Sequence, residues 1–114
     1  MDPTKVIESQ TDAARNILEN FGPDKAMGYL IGEKFLNFLE VAETAHRWRQ
    51  AIPAFVAEIK ALFEPGQLAE FLTTPRRLGA LGHVASEQVH RMFREELDES
   101  QKVREDARNL TLLE

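Results

Sequence analysis

The sequence predicts an all-α fold, a compact and bundle-like array of four main helices and one short helix. Apolar residues recur at helical spacing along most of the 114-residue chain, and proline or glycine interrupts each recurrence. A hydrophobic fraction of 43% and a charged fraction of 29% are typical of one small globular domain. We therefore expect a single helical domain over residues 1–108 and a C-terminal tail of residues 109–114.

The first two predicted helices differ in how much apolar surface they carry. Residues 4–20 form the first helix, with Thr4 as its N-terminal cap, and Gly22-Pro23 ends it. Residues 25–44 form the second, capped by Asp24, and its apolar arc is much wider than an ordinary surface helix needs. Either this helix runs through the centre of the domain, or it packs on a second chain with its other side.

The remaining helices follow from proline positions and apolar spacing. A third helix should begin near Pro53, because proline is accepted in a first helical turn and disfavours helix before it. A short helix over residues 67–73 follows, and the last helix covers residues 83–108. The second half of this last helix offers only Val103 and Ala107 among charged residues. We expect that half to project, to fray, or to pack on a partner chain.

Charge and composition exclude several classes of protein. Residues 1–44 contain four basic residues (Lys and Arg) and eight acidic residues (Asp and Glu). Residues 45–94 contain seven basic and four acidic residues, and residues 95–114 contain three basic and seven acidic residues. The net charge of −5 argues against nucleic acid or anionic lipid as the main partner. The absence of cysteine excludes disulfides and thiolate chemistry and fits a reducing compartment. With no membrane-spanning stretch and no visible secretory signal, we expect a cytoplasmic protein without a membrane partner.

Two glycines in the second helix indicate a candidate interface. Gly28 and Gly32 lie four residues apart on one face, and each costs about 1 kcal/mol relative to alanine in a helix interior. Close approach of another backbone would offset that cost, and in a two-fold dimer this face would meet its own copy. The alternative is that both glycines make room for a bulky neighbour in the same chain. The predicted interface residues are Gly28, Gly32, Tyr29, Leu36 and Leu39.

A second hypothesis concerns DNA. Residues 67–81 superficially resemble a helix-turn-helix, with a small-residue first helix, a tight turn and a basic second segment. Thr73 stands at the turn position where glycine is usual, and Gly79 and Gly82 interrupt the second helix. The arginines could instead pair with acidic neighbours within the fold. The candidate phosphate-binding residues are Arg76, Arg77, Arg91 and Arg94.

A third hypothesis concerns metal. Glu-x-x-His occurs at residues 43–46 and 87–90, a spacing that di-iron helical bundles use. His83, Glu87 and His90 also share one helical face that could hold a zinc-like ion. Glu87 should nevertheless face water, because the apolar stripe runs along the opposite side of the helix. An ordinary solvated face is the alternative interpretation.

The sequence thus favours a small non-enzymatic interaction or regulatory module that acts as a homodimer and needs no cofactor. The alternatives are a DNA-associated factor that uses residues 67–81 and a metal-binding helical protein. An apolar-ligand pocket among aromatic side chains is a further alternative, although ordinary core packing explains the same residues. Those side chains are Phe35, Phe38, Phe55 and Trp48.

Overall fold

The computed structural model describes residues 2–74 and 83–113, and within these residues every regular element is a helix. The all-α prediction is therefore confirmed for the part of the chain that the structure describes. The chain forms two compact units, Met1–Phe63 and Glu64–Glu114, and each is considered by itself. The prediction of one domain over residues 1–108 concerns how the units combine, and it stays a prediction.

The first unit contains three helical rods. The first rod is α1, Pro3–Phe21, and the third is α4, His46–Leu62. The second rod, called the central helix, covers residues 23–42 without interruption. Its parts are α2 (Pro23–Tyr29), a π-helical segment (Leu30–Phe35) and α3 (Leu36–Ala42).

The boundary between α1 and α2 depends on two caps. Asp2 Oδ1 accepts a hydrogen bond from the Thr4 backbone N–H at 3.0 Å, so the predicted cap, Thr4, was wrong by two positions. Gly22 has a φ of 94°, a conformation that side-chain-bearing residues rarely adopt, and its N–H donates to the Leu18 carbonyl at 3.1 Å. Gly22 also stands at the start of α2, which places Asp24 inside the first turn and not at its cap.

The π-helical segment accounts for the wide apolar arc of the central helix. At 100° per residue, a straight α-helix would spread the buried side chains over about 220°. A π segment adds about one residue to the turn, which rotates the following residues back by about 100° and narrows the arc to roughly 140°. The central helix contacts both α1 and α4, so the first unit covers this arc itself. The buried residues are Ala26, Met27, Leu30, Ile31, Phe35, Phe38, Leu39 and Ala42.

Helix α4 begins earlier than the sequence predicts. It starts at His46 and contains Pro53 in its interior, so the predicted start near Pro53 was wrong. The Arg49 N–H donates to the Ala45 carbonyl at 3.0 Å, which establishes the helix before the proline. Pro53 removes one interior hydrogen bond, but its exposed ring faces away from the core.

The second unit begins with the short helix α5, Pro65–Thr73. It starts two residues before the predicted position because Pro65 occupies the first turn and Gln67 Oε1 accepts the Glu64 backbone N–H at 3.0 Å. α5 packs against the last helix of the chain. Its buried side chains are Leu68, Ala69, Phe71 and Leu72.

Two further segments, α6 (His83–Met92) and α7 (Arg94–Leu113), form nearly one helix. Across their junction the Phe93 N–H donates to the Val89 carbonyl at 3.2 Å, and the Leu97 N–H donates to the Phe93 carbonyl at 3.1 Å. Helix α7 continues five residues past the predicted end at residue 108 and includes most of the predicted tail. None of the helices in residues 2–74 and 83–113 combines the length and apolar composition that crossing a bilayer requires.

Candidate functional site

The aromatic side chains considered for a ligand pocket pack against one another. The Phe55 ring meets the rings of Phe35 and Phe38 edge-on, each at a centroid distance of 5.1 Å. Trp48 lies against Phe38 at 4.7 Å. The three phenylalanines are buried, and such edge-on pairs are favourable beyond the area they bury. This arrangement is a hydrophobic core, as the ordinary-packing interpretation of the sequence expected.

The predicted interface on the central helix is partly accessible. Gly28 is exposed, and a Cβ placed on it would meet no atom of the described residues within 4 Å, so no bulky neighbour among them explains the glycine. Tyr29, Gly32 and Leu36 are half-buried. Leu39 is only 8% exposed and belongs to the core, because the π-helical segment rotates it inward. Four of the five predicted residues therefore lie on an accessible side, and Leu39 does not.

Two lysines of the central helix lie near aromatic rings of the first unit. Lys25 Nζ lies 5.5 Å from the centroid of the exposed Phe21 ring, and Lys34 Nζ lies 5.4 Å from that of Tyr29. Lys34 Nζ also lies 3.2 Å from Glu33 Oε1. Cation–π contacts at exposed sites contribute about 0.5–1 kcal/mol. Phe21 nevertheless remains 66% exposed, as much as Leu110.

The candidate metal residues do not converge. His90 Nε2 lies 2.7 Å from the Leu72 carbonyl oxygen. Because a carbonyl only accepts, Nε2 carries the hydrogen, and this nitrogen is not free to bind a metal. Glu87 is exposed, as predicted, and the side chain of His83 lies outside the described residues. Among the described residues, no group of three or more His, Asp or Glu side chains could hold an ion, and the pair at 43–46 is exposed.

The candidate phosphate-binding arginines are only partly described. Arg76 and Arg77 lie outside the described residues, as does the second half of the segment 67–81. Arg91 and Arg94 are exposed and line a groove of about 370 Å³ together with two carboxylates, Glu87 and Asp98. Two acids among the arginines make this groove mixed in charge, whereas phosphate binding favours a uniformly basic patch.

The second half of α7 is the most exposed helical stretch described. A groove brings Ala69 and Thr73 of α5 together with α7 residues as far along as Arg104, so α5 lies beside the first half of α7. Residues 101–110 are exposed at every position, although the helix continues to Leu113. Val103 is 62% exposed and Leu110 is 66% exposed. This stretch is therefore a helix with apolar side chains that α5 does not cover.

Comparison with known protein families, curated protein sequences and solved structures finds no match to this chain. The candidate site therefore depends on the geometry alone. The sequence already indicated Val103 and Ala107, but it assigned Leu110 to a tail and so separated it from them. The signal that could have joined them is their spacing of four and then three residues, which places all three on one side of a helix.

Proposed function

We propose that this protein is a small, non-enzymatic interaction module that acts as a homodimer, with the second half of α7 as its principal contact. One observation carries the proposal. Residues 101–110 are helical and exposed throughout, and they present Val103 and Leu110 with roughly two-thirds of their surface in water.

A helical stretch of this kind gains from a partner in two ways. Most helical stability in proteins comes from packing of an apolar face, and residues 101–110 are exposed at every position. Full burial of a valine or leucine side chain contributes about 1.5–3 kcal/mol. In a two-fold dimer each such contact occurs twice, so Val103 and Leu110 of both copies would be covered together.

The accessible face of the central helix is the secondary contact in this proposal. Gly28, Tyr29, Gly32 and Leu36 remain available for close approach of another backbone. One finding ranks it below α7: the π-helical segment accounts for the wide apolar arc inside the first unit. The cysteine-free composition fits a cytoplasmic location for the dimer.

The other two hypotheses have less support from the described residues. The groove beside Arg91 and Arg94 also carries Glu87 and Asp98, which weakens a role in binding DNA. The hydrogen bond of His90 Nε2 to the Leu72 carbonyl weakens a role in binding metal. Neither hypothesis gains a specific observation in its favour.

Sedimentation velocity over a range of micromolar concentrations tests the proposal. The unmodified chain should show a monomer–dimer equilibrium, and Leu110→Glu should shift it toward monomer because a carboxylate replaces an apolar contact. Asn109→Glu is the matched control, since it adds the same charge at an exposed neighbouring position about 100° around the helix. A chain that stays monomeric at every concentration contradicts the proposal. Loss of dimer in Gly28→Leu but not in Leu110→Glu would transfer the contact to the central helix.

A further inference from the structure

The exposed half of α7 carries the spacing of a coiled-coil contact line. Ser100, Val103, Ala107 and Leu110 follow one another at three, four and three residues, which is the a/d pattern of a heptad repeat. We call these four residues the α7 seam. The helix is uninterrupted from Arg94 to Leu113, so the seam lies along one side of a single rod. Ser100 is half-buried beside α5, and the other three residues are exposed.

The charges beside the seam select the geometry of the pair. Glu99 directly precedes Ser100 and Arg104 directly follows Val103, which places them at the g and e positions of the heptad, and both are exposed. In two parallel helices in register, a g residue faces the e residue five positions later on the other chain. Glu99 would thus face Arg104 of the second copy, and the symmetry gives this pair twice.

An antiparallel pair is less favourable. It brings g positions of the two chains to the same side of the contact, and the g positions here, Glu99 and Asp106, are both acidic. Like charges in such positions repel, and coiled coils use this repulsion to select orientation. The parallel arrangement alone converts the charges beside the seam into attractive pairs.

We infer that α7 pairs with α7 of a second copy of this chain, parallel and in register, along the α7 seam. This inference rests on the proposed homodimer and specifies its contact and its orientation. The small side chains of Ser100 and Ala107 let the two helices approach closely, while Val103 and Leu110 supply the apolar area. The first residues of the pairing lie beside the groove that Ser100 and Arg104 share with Ala69 and Thr73 of α5.

Charge exchange between two variants tests the orientation. Glu99→Arg places a second guanidinium opposite Arg104 of the other copy, and Arg104→Glu places a second carboxylate opposite Glu99. Each variant alone should therefore dimerise about tenfold more weakly at low salt. An equimolar mixture should recover the dimer, because the heterodimer restores both opposite-charge pairs. High salt should reduce the difference between the variants and the unmodified chain. Self-association that is unchanged in both variants, or a mixture that fails to recover, overturns the inference.

Cysteine cross-linking provides an independent test of register. The chain contains no cysteine, so each introduced thiol is unique. Val103→Cys should form an intermolecular disulfide readily, because the two copies of residue 103 lie face to face in a parallel pair and a disulfide requires nearby Cβ atoms. Glu105→Cys, on the opposite side of α7, is the matched control and should form far less. Equal cross-linking at the two positions contradicts the α7 seam.

Different results would contradict the homodimer and the α7 seam. A monomeric chain removes the homodimer and the seam together. A dimer that is insensitive to Leu110→Glu and to both charge variants removes the seam and leaves the homodimer standing. A dimer that is sensitive to Leu110→Glu, but in which the mixed charge variants do not recover, removes only the parallel register.

Discussion

His90 donates a hydrogen bond from Nε2 to the Leu72 carbonyl oxygen at 2.7 Å and thereby connects α6 to the last turn of α5. Leu72 lies among the last residues of α5, whose carbonyls have no partner within the helix. Thr73 Oγ1 donates to the Ala69 carbonyl at 2.8 Å, and Thr74 Oγ1 donates to the Glu70 carbonyl at 2.7 Å, in the same turn. Three side chains thus donate to carbonyls near the C-terminal end of this short helix, and two of these carbonyls, those of Glu70 and Leu72, lack a partner within the helix.

Removal of the imidazole should destabilise the second unit. His90→Ala leaves the Leu72 carbonyl without its donor, and we expect a loss of about 1–2 kcal/mol in the free energy of unfolding. His90→Gln retains an N–H donor on a shorter side chain and should lose less. Urea unfolding followed by far-UV circular dichroism measures both changes. Equal stability of the alanine variant and the unmodified chain would show that the bond contributes nothing net.

Alanine at Gly28 should stabilise the protein. The new methyl group meets no atom within 4 Å in the part of the chain that the structure describes, and alanine in a helix interior is more favourable than glycine by about 0.5–1 kcal/mol. Gly22→Ala is the contrasting variant: its site is equally open, but a φ of 94° should cost about 1–3 kcal/mol. Thermal unfolding at low protein concentration checks the opposite signs. Destabilisation by Gly28→Ala under these conditions would contradict the open environment.

Arg49 should stabilise the end of the central helix. Its Nε donates to the Ala42 carbonyl at 3.2 Å and its Nη2 donates to the Glu43 carbonyl at 2.7 Å, so one guanidinium satisfies two carbonyls at a helix C-terminus. We expect Arg49→Ala to cost about 1 kcal/mol. Arg49→Lys keeps the charge but lacks the fork of donors, and its stability should fall in between. Denaturant unfolding of the three proteins gives this order or contradicts it.

Phe55 should contribute more than any of these polar contacts. It is fully buried and meets Phe35 and Phe38 edge-on, so Phe55→Ala leaves a cavity among rings and should cost about 3–5 kcal/mol. Phe55→Leu fills part of that space and should cost less than half as much. The fluorescence of Trp48, which packs on Phe38, follows unfolding of this unit. Similar losses for alanine and leucine would indicate that the cavity relaxes.

Comparison of two spectroscopic signals tests the prediction of one domain. The chain has one tryptophan, and Trp48 lies in the first unit, whereas circular dichroism reports helices of both units. A single domain over residues 1–108 requires the two unfolding curves to coincide. Separate midpoints would show that Met1–Phe63 and Glu64–Glu114 unfold independently.

The fold class and most helix positions follow from the sequence because apolar spacing and Gly-Pro breaks are local signals. The start of α4 does not follow, because Pro53 indicates a first turn unless tertiary packing outweighs its missing hydrogen bond. The π-helical segment Leu30–Phe35 also escapes prediction. Its apolar residues are equally suited to an ordinary α-helix. The extra residue in the turn becomes favourable only in the folded unit, because it lets Phe38 and Leu39 be buried on the same side of the central helix as Met27.

The candidate site was predictable in part, because the apolar content of a helix is also a local signal in the sequence. The poor apolar content of the last helix indicates an uncovered half, but the sequence does not show that the groove beside α5 extends along α7 as far as Arg104. The interface predicted on the central helix includes Leu39, because a straight α-helix would place it on the outer side. Its burial depends on a rotation of the backbone that no single residue indicates.

The π-helical segment sets the rotation of α3 relative to α2 about the axis of the central helix, and this rotation depends on one extra residue in the turn. If the segment wound into an ordinary α-helix, α3 would turn by about 100° relative to α2. Phe38 would then leave its place beside Trp48 and Phe55, and the outer side that carries Gly28 would no longer run straight to Leu36. The inner contacts and the outer surface are therefore set by the same local choice of backbone winding, and neither can change without the other.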